Sequence, residues 1–168
     1  PMADMATPDQ VERCWRALAE LASGPVIPIT YVNSSAAIKA FCGRHGGAVC
    51  TSSNAVAVLR WALERGQRAL FLPDEHLGRN AAAALGLADD DVAIWRREAS
   101  RLEGDTAKAK AEAGDGFCPV HVRFTPADVA RARLAGARVI VHPECPRPVV
   151  RAADDSGSTE KIIAVLAQ

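Results

Sequence analysis

The sequence has 168 residues, 20 basic against 20 acidic side chains, 49% hydrophobic and 24% charged residues. This is enough apolar material for one core or two small ones, and the zero net charge excludes a chain drawn as a whole to nucleic acid or to an anionic membrane. No apolar run reaches the ~18 residues of a spanning helix and no signal peptide is legible, which predicts a soluble, cytoplasmic protein that uses no membrane. The five cysteines are odd in number and not spaced as a secreted framework, so in a reducing compartment they read as free thiols or metal ligands. Pro1 at the start, and an apolar run broken off at Ala167-Gln168, read as cuts through a longer protein.

In chain order, PDQVERCWRALAELA (8–22) places Val11, Cys14, Trp15, Leu18 and Leu21 on one helical face, with Pro8 in the first turn. Gly24-Pro25 ends it. VIPITYV (26–32) is a β-branched strand; Ser34 is the expected cap of the helix SSAAIKAFCGRHG; AVC (48–50) is a second strand. TSSN leads into the helix AVAVLRWALERG, RALFLP is a third strand, HLGRNAAAALG a helix and VAIW (92–95) a fourth strand. Residues 97–115 are charged and Ala-rich with little apolar stripe, which predicts a weakly ordered, solvated helix or loop insert. After FCPVHVRF, whose conformation the pattern leaves open, come a helix at 126–135, the strand ARVIV, a helix near 148–154 and a helix from 159 capped by Ser158. Short apolar strands alternating with helices predict an α/β class with three αβα layers and a mostly parallel sheet.

In such sheets ligands gather at the carboxyl ends of strands. The residues there are Tyr31 and Asn33, then Thr51 to Asn54, then Pro73 to His76, then His142, Glu144 and Cys145. TSSN and GST (157–159) each precede a helix, an arrangement that serves either as N-capping or as a site for a carboxylate or phosphate. His142-Pro143-Glu144 pairs a titrating imidazole with a carboxylate, Pro143 restraining the backbone; the pair is suited to binding a polar substrate or moving protons, or is an ordinary loop His with a solvated Glu. Cys118-x2-His121 mirrors His142-x2-Cys145, which leaves a four-ligand zinc site open, as does a Cys118/His121 nucleophile pair. Cys14, Cys42 and Cys50 read as small buried hydrophobes.

Seven motifs in order, PMADM (1–5), YVNSSAAIKA (31–40), CTSSNAV (50–56), FLPDEHLGRN (71–80), FCPVHVRFT (117–125), VHPEC (141–145) and GSTEKII (157–163), resemble the quinolinate synthase family of bacterial NAD biosynthesis. The resemblance implies three similar α/β domains about a pseudo-threefold axis. Residues 1–24 would be a helical remainder of the first, 25–120 the middle domain and 121–168 part of the third. It implies a 4Fe–4S cluster held by one cysteine from each domain, acting as a Lewis acid, and condensation of iminosuccinate with dihydroxyacetone phosphate to quinolinate, phosphate and water, with an L-aspartate oxidase as supplier of the first substrate. By the same resemblance Cys118 is a cluster ligand, Tyr31, Val32, Asn33, Ser52, His142, Pro143, Glu144 and Thr159 contact substrate, and Tyr31, His142 and Glu144 are catalytic. Cys145 is a bystander.

Two of the three cluster cysteines have no counterpart in the sequence, and Gly114 stands where the family commonly has an aromatic residue. The chain alone is therefore expected to be inactive and to self-associate through exposed apolar surface. The alternatives from another class are a non-catalytic dicarboxylate-binding module and a zinc-stabilised structural domain.

Overall fold

A computed structural model describes residues 5–22, 24–66, 68–96, 101–104 and 109–167; most of the PMADM motif and parts of the 97–115 insert lie outside them. Helix α1 (Pro8–Leu21) starts on a capping box in which Thr7 and Gln10 bond each other's backbone, with Pro8 at the first helical position. Then follow β1 (Val26–Tyr31), α2 (Ala36–Arg44), β2 (Ala48–Cys50), α3 (Ala55–Arg65), β3 (Arg68–Leu72), α4 (Glu75–Ala84), β4 (Val92–Arg96), β5 (Arg101–Glu103) and β6 (Ala111–Gly114). The sheet order is β2-β1-β3-β6-β4-β5. Every pairing is parallel except β4 with β5.

Side-chain alternation along β3 builds the layers. Ala69 and Phe71 face α3 and α4 together with Ile29, Leu59 and Leu77. Leu70 and Leu72 face α1 and α2 together with Val11, Leu18, Ile38 and Phe41. Both faces of the sheet are covered, as expected of parallel strands. Cys14, Cys42 and Cys50 are all buried in these two cores.

Two expectations about the sheet unit need correction. The described part of the 97–115 insert is not a solvated helix or loop: β5 and β6 are strands, and β6 is interior to the sheet, between β3 and β4. The reason is the alternation of Ala109, Ala111 and Ala113, all buried; methyl groups carry a period-two signal too weak to read among charged neighbours. Their size also lets α4 approach closely, since a Cβ on Gly78 would lie 3.2 Å from Ala113 Cβ. Gly114 is fixed in the same way: a Cβ there would lie 2.8 Å from Pro73 O, which leaves this backbone no room for a larger residue. The second correction is the α2 cap, which is Ser35 and not Ser34. The Ser34 hydroxyl is buried and accepts from Thr30 Oγ1 at 2.9 Å.

The remainder forms a smaller unit: α5 (Pro126–Leu134), β7 (Ile140–Val141), α6 (Arg147–Ala152), β8 (Asp155–Ser156) and α7 (Thr159–Leu166), with β7 and β8 paired in parallel. ARVIV is strand only at its last two residues, because the Val139 amide is taken by Asp154 Oδ2 at 2.8 Å. Among the described residues no helix is long and apolar enough to cross a membrane.

Candidate active site

Four strand ends converge on one point. Tyr31 closes β1. Asp74, just past β3, caps α4 through Oδ1, which accepts from the Leu77 amide at 2.7 Å. Beyond β6, Gly116 pairs with Asp74 as an isolated bridge and its carbonyl accepts from the Glu75 amide at 2.7 Å, which carries the chain past Asp74 to Cys118 and a 3-10 turn at His121–Arg123. Once β6 is a strand, Cys118 and His121 join the residues that follow strand ends. The fourth contribution is His142 to Cys145 after β7.

At the centre is Glu144, 2% exposed. Its Oε2 accepts from Tyr31 Oη at 3.4 Å and lies 3.2 Å from His142 Nδ1 and 3.5 Å from His121 Nδ1. The two imidazoles stack, with centroids 4.7 Å apart and planes 11° apart. The Glu144 amide donates to His142 Nδ1 at 3.3 Å, so a neutral His142 carries its proton on Nε2. The Cys118 thiol, a His121 nitrogen and a Glu144 oxygen lie within 4.8 Å of one another.

Burial sets the protonation states. It raises Glu144 to about 6, against the opposing hydrogen bond from Tyr31. It lowers His142 to about 4, with His121 adding to the effect, and lowers His121. Burial and then the Glu144 charge push the Tyr31 phenol up, which keeps it a donor. Asp74 is raised by burial to about 7; the Leu77 amide opposes and the Glu144 charge adds. Near neutrality the site therefore holds two neutral imidazoles and a carboxyl group able to take or give a proton.

Asn80 of α4 holds this loop in place. Its Nδ2 donates to Pro143 O at 2.7 Å and to Cys145 O at 2.9 Å, the carbonyls on either side of Glu144. Asn80 and Pro143 also line an adjoining cleft of about 570 Å³, together with Ser52, Ser53, Arg147 and Lys161. Ser52 shares a hydrogen bond with Tyr31, which joins the cleft to the Glu144 cluster. The α3 N-terminus beside it has no side-chain cap, because Asn54 Oδ1 is occupied by the Thr51 amide at 2.7 Å. Thr159 is exposed at the first turn of α7, whose preceding residues Gly157 and Ser158 line the cleft. Asn33 is half-buried in the turn after β1, and Val32 is 40% exposed with its amide bonded to Cys50 O. Cys145 packs with Val129 and Val149, and burial raises its thiol to about 11.

The sequence matches the family model described as quinolinate synthetase A protein over residues 1–168. The chain belongs to the quinolinate synthase family. It is 52% identical to a Corynebacterium glutamicum protein named quinolinate synthase, over 98% of this chain and 43% of that protein. It is 50% identical to one from Bacillus velezensis, over 99% of the chain and 46% of the relative, and 47% identical to one from Bacillus subtilis with the same coverage. The chain thus spans less than half the length of the curated relatives it matches.

Three residues of this cluster were given no role by the family resemblance. Asp74 was one of several polar residues after β3, and nothing marked it as fully buried. Asn80 was legible as the polar residue three positions after Leu77, on the face that α4 buries. His121 was legible as a possible zinc ligand with Cys118, His142 and Cys145 or as a partner of a Cys118 nucleophile, with no sign that it meets Glu144.

Proposed function

We propose that the chain forms the central part of a quinolinate synthase active site, within a three-domain protein whose middle domain is residues 25–120 and whose third begins at 121. The reaction condenses iminosuccinate, supplied by an L-aspartate oxidase, with dihydroxyacetone phosphate to quinolinate, phosphate and water. The observation that carries this is the meeting of Tyr31, His121, His142 and Glu144 beside Cys118 in a chain of this family. Without its remaining segments the chain is inactive.

The residues fit one corner of a 4Fe–4S cluster. Cys118 is 2% exposed and adjoins Glu144, whose Oε1 is buried without a partner. Cys14, Cys42 and Cys50 lie in the cores of the sheet, and Cys145 lies in that of the smaller unit. Two further ligands would come from other segments of a full-length protein. When bound, the cluster supplies a Lewis-acidic iron with an open position.

The chain's own residues then divide the work. Ser52 and Thr159, with the uncapped start of α3, hold substrate carboxylates. Tyr31 Oη, Asn33, the Val32 backbone and the His142 Nε2 proton fix substrate oxygens, and Pro143 holds His142 extended. Glu144 carries the protons. Each loss of water needs a proton removed from carbon or nitrogen and one delivered to the departing hydroxyl, and a carboxyl group with a pKa of about 6 does both near neutral pH.

A chimera tests this. The chain replaces the matching segment of the Corynebacterium glutamicum relative, is reconstituted anaerobically, and is assayed for quinolinate. Quinolinate should form, and should fall by roughly 100-fold or more in Glu144→Gln. A chimera that is folded and cluster-loaded yet makes none, or that is indifferent to Glu144→Gln, contradicts the reading.

A further inference from the structure

The core of the site holds more acceptors than donors. Glu144 Oε2 has the Tyr31 phenol as a donor, while Glu144 Oε1 has no partner. His142 Nδ1, 3.2 Å from Oε2, already accepts from the Glu144 amide and cannot also donate to the carboxylate. His121 Nδ1 is buried without a hydrogen-bond partner and lies 3.5 Å from the same oxygen. Glu144 Oε2 and His142 Nδ1, two acceptors 3.2 Å apart, repel unless a cation or a proton lies between them.

We propose that Cys118, His121 and Glu144 form a site for a single divalent ion of the zinc class, filled when no iron–sulfur cluster is present. A soft thiolate and a borderline imidazole beside one hard carboxylate make a mixed set that zinc and cobalt(II) favour over magnesium or calcium. The edges of a tetrahedral site with bonds of ~2.0–2.3 Å are roughly 3.3–3.6 Å. The His121–Glu144 separation of 3.5 Å already has that value, and the three ligand atoms, all within 4.8 Å of one another, need only a small contraction. His142 stacks on His121 and buttresses it. This set differs from the Cys118, His121, His142, Cys145 spacing legible in the sequence, because Glu144 is the residue at the node and Cys145 packs into the apolar core of the smaller unit. Because Cys118 serves both, the single ion and a cluster exclude each other.

The test is a cobalt(II) titration of the purified, reduced chain under anaerobic conditions. The expected result is one equivalent bound with a thiolate-to-cobalt charge-transfer band, displaced by zinc. The band should be absent in Cys118→Ser and unchanged in Cys145→Ser. Affinity should fall by about tenfold or more in His121→Ala and in Glu144→Gln, since a lost ligand costs at least as much as a lost supporting hydrogen bond. No thiolate band in the folded chain, or a band that follows Cys145, overturns the proposal. X-ray absorption of the zinc-loaded wild type needs no variant: one sulfur at about 2.3 Å supports the site, and none or several contradict it. The readout is metal on the chain alone, so its failure leaves the quinolinate reading standing, and a silent chimera leaves the ion site standing.

Discussion

The two units of the chain are held together by different forces. The six-stranded sheet has apolar cores on both faces, with Ile29, Leu59, Phe71 and Leu77 on one and Leu18, Ile38 and Leu70 on the other. Among the described residues, the smaller unit's fully buried apolar core is Val129, Cys145 and Val149, and α7 buries none. What joins it to the sheet is largely polar: the Asn80 clamp on the 143–145 loop, and Asp89 paired with Arg147 at 2.6 Å and Arg151 at 2.9 Å. Glu144 sits at this seam. Apolar packing is non-directional and gives the large unit its stability, whereas directional hydrogen bonds set the position of one carboxylate against Tyr31.

That contrast can be broken from the large unit first. Phe71→Ala should lower stability by about 3–5 kcal/mol, measured by urea unfolding, because the ring is fully enclosed between the sheet and α4. Asp74→Asn has the opposite sign. A carboxyl group whose folded pKa is raised from 3.8 to about 7 binds more protons folded than unfolded across that interval, so wild-type stability falls as pH rises through it. Asn keeps the cap on α4 without the charge. The variant should match wild type near pH 4 and exceed it by on the order of a few kcal/mol at pH 8. Parallel stability curves for the two proteins would refute the burial of an ionised Asp74.

At the seam, Asn80→Ala leaves two carbonyls without their donor and should cost about 1–3 kcal/mol. In the chimera it should also lower quinolinate formation without removing iron, because it moves Glu144 and leaves Cys118 in place. The smallest effect is expected at the half-exposed Asp89. Asp89→Ala should change stability by less than about 1 kcal/mol, and by less still in high salt. A larger loss would mean that these ion pairs, and not Asn80, fix the seam.

The sequence carried the large unit well where side chains are big. β1, β3 and α1 are visible as apolar runs or stripes with their stops. It failed at β6, where alternation is written in alanine methyls, and that one failure hid the location of Cys118. In the site, Tyr31, His142 and Glu144 were legible as polar residues after strands, together with the family motifs that contain them. Burial was not: nothing local distinguishes the enclosed Asp74 from the more exposed Glu75 beside it, and the contacts of Asn80 and His121 join residues far apart in sequence.

The most direct test is iron and sulfide analysis of the anaerobically reconstituted chimera carrying Cys118→Ala or Cys145→Ala. The placement of Cys118 beside Glu144, with Cys145 packed against Val129 and Val149, predicts that the first loses its cluster and the second keeps it. A cluster that survives Cys118→Ala, or that disappears with Cys145→Ala in a folded protein, would contradict the assignment of this site.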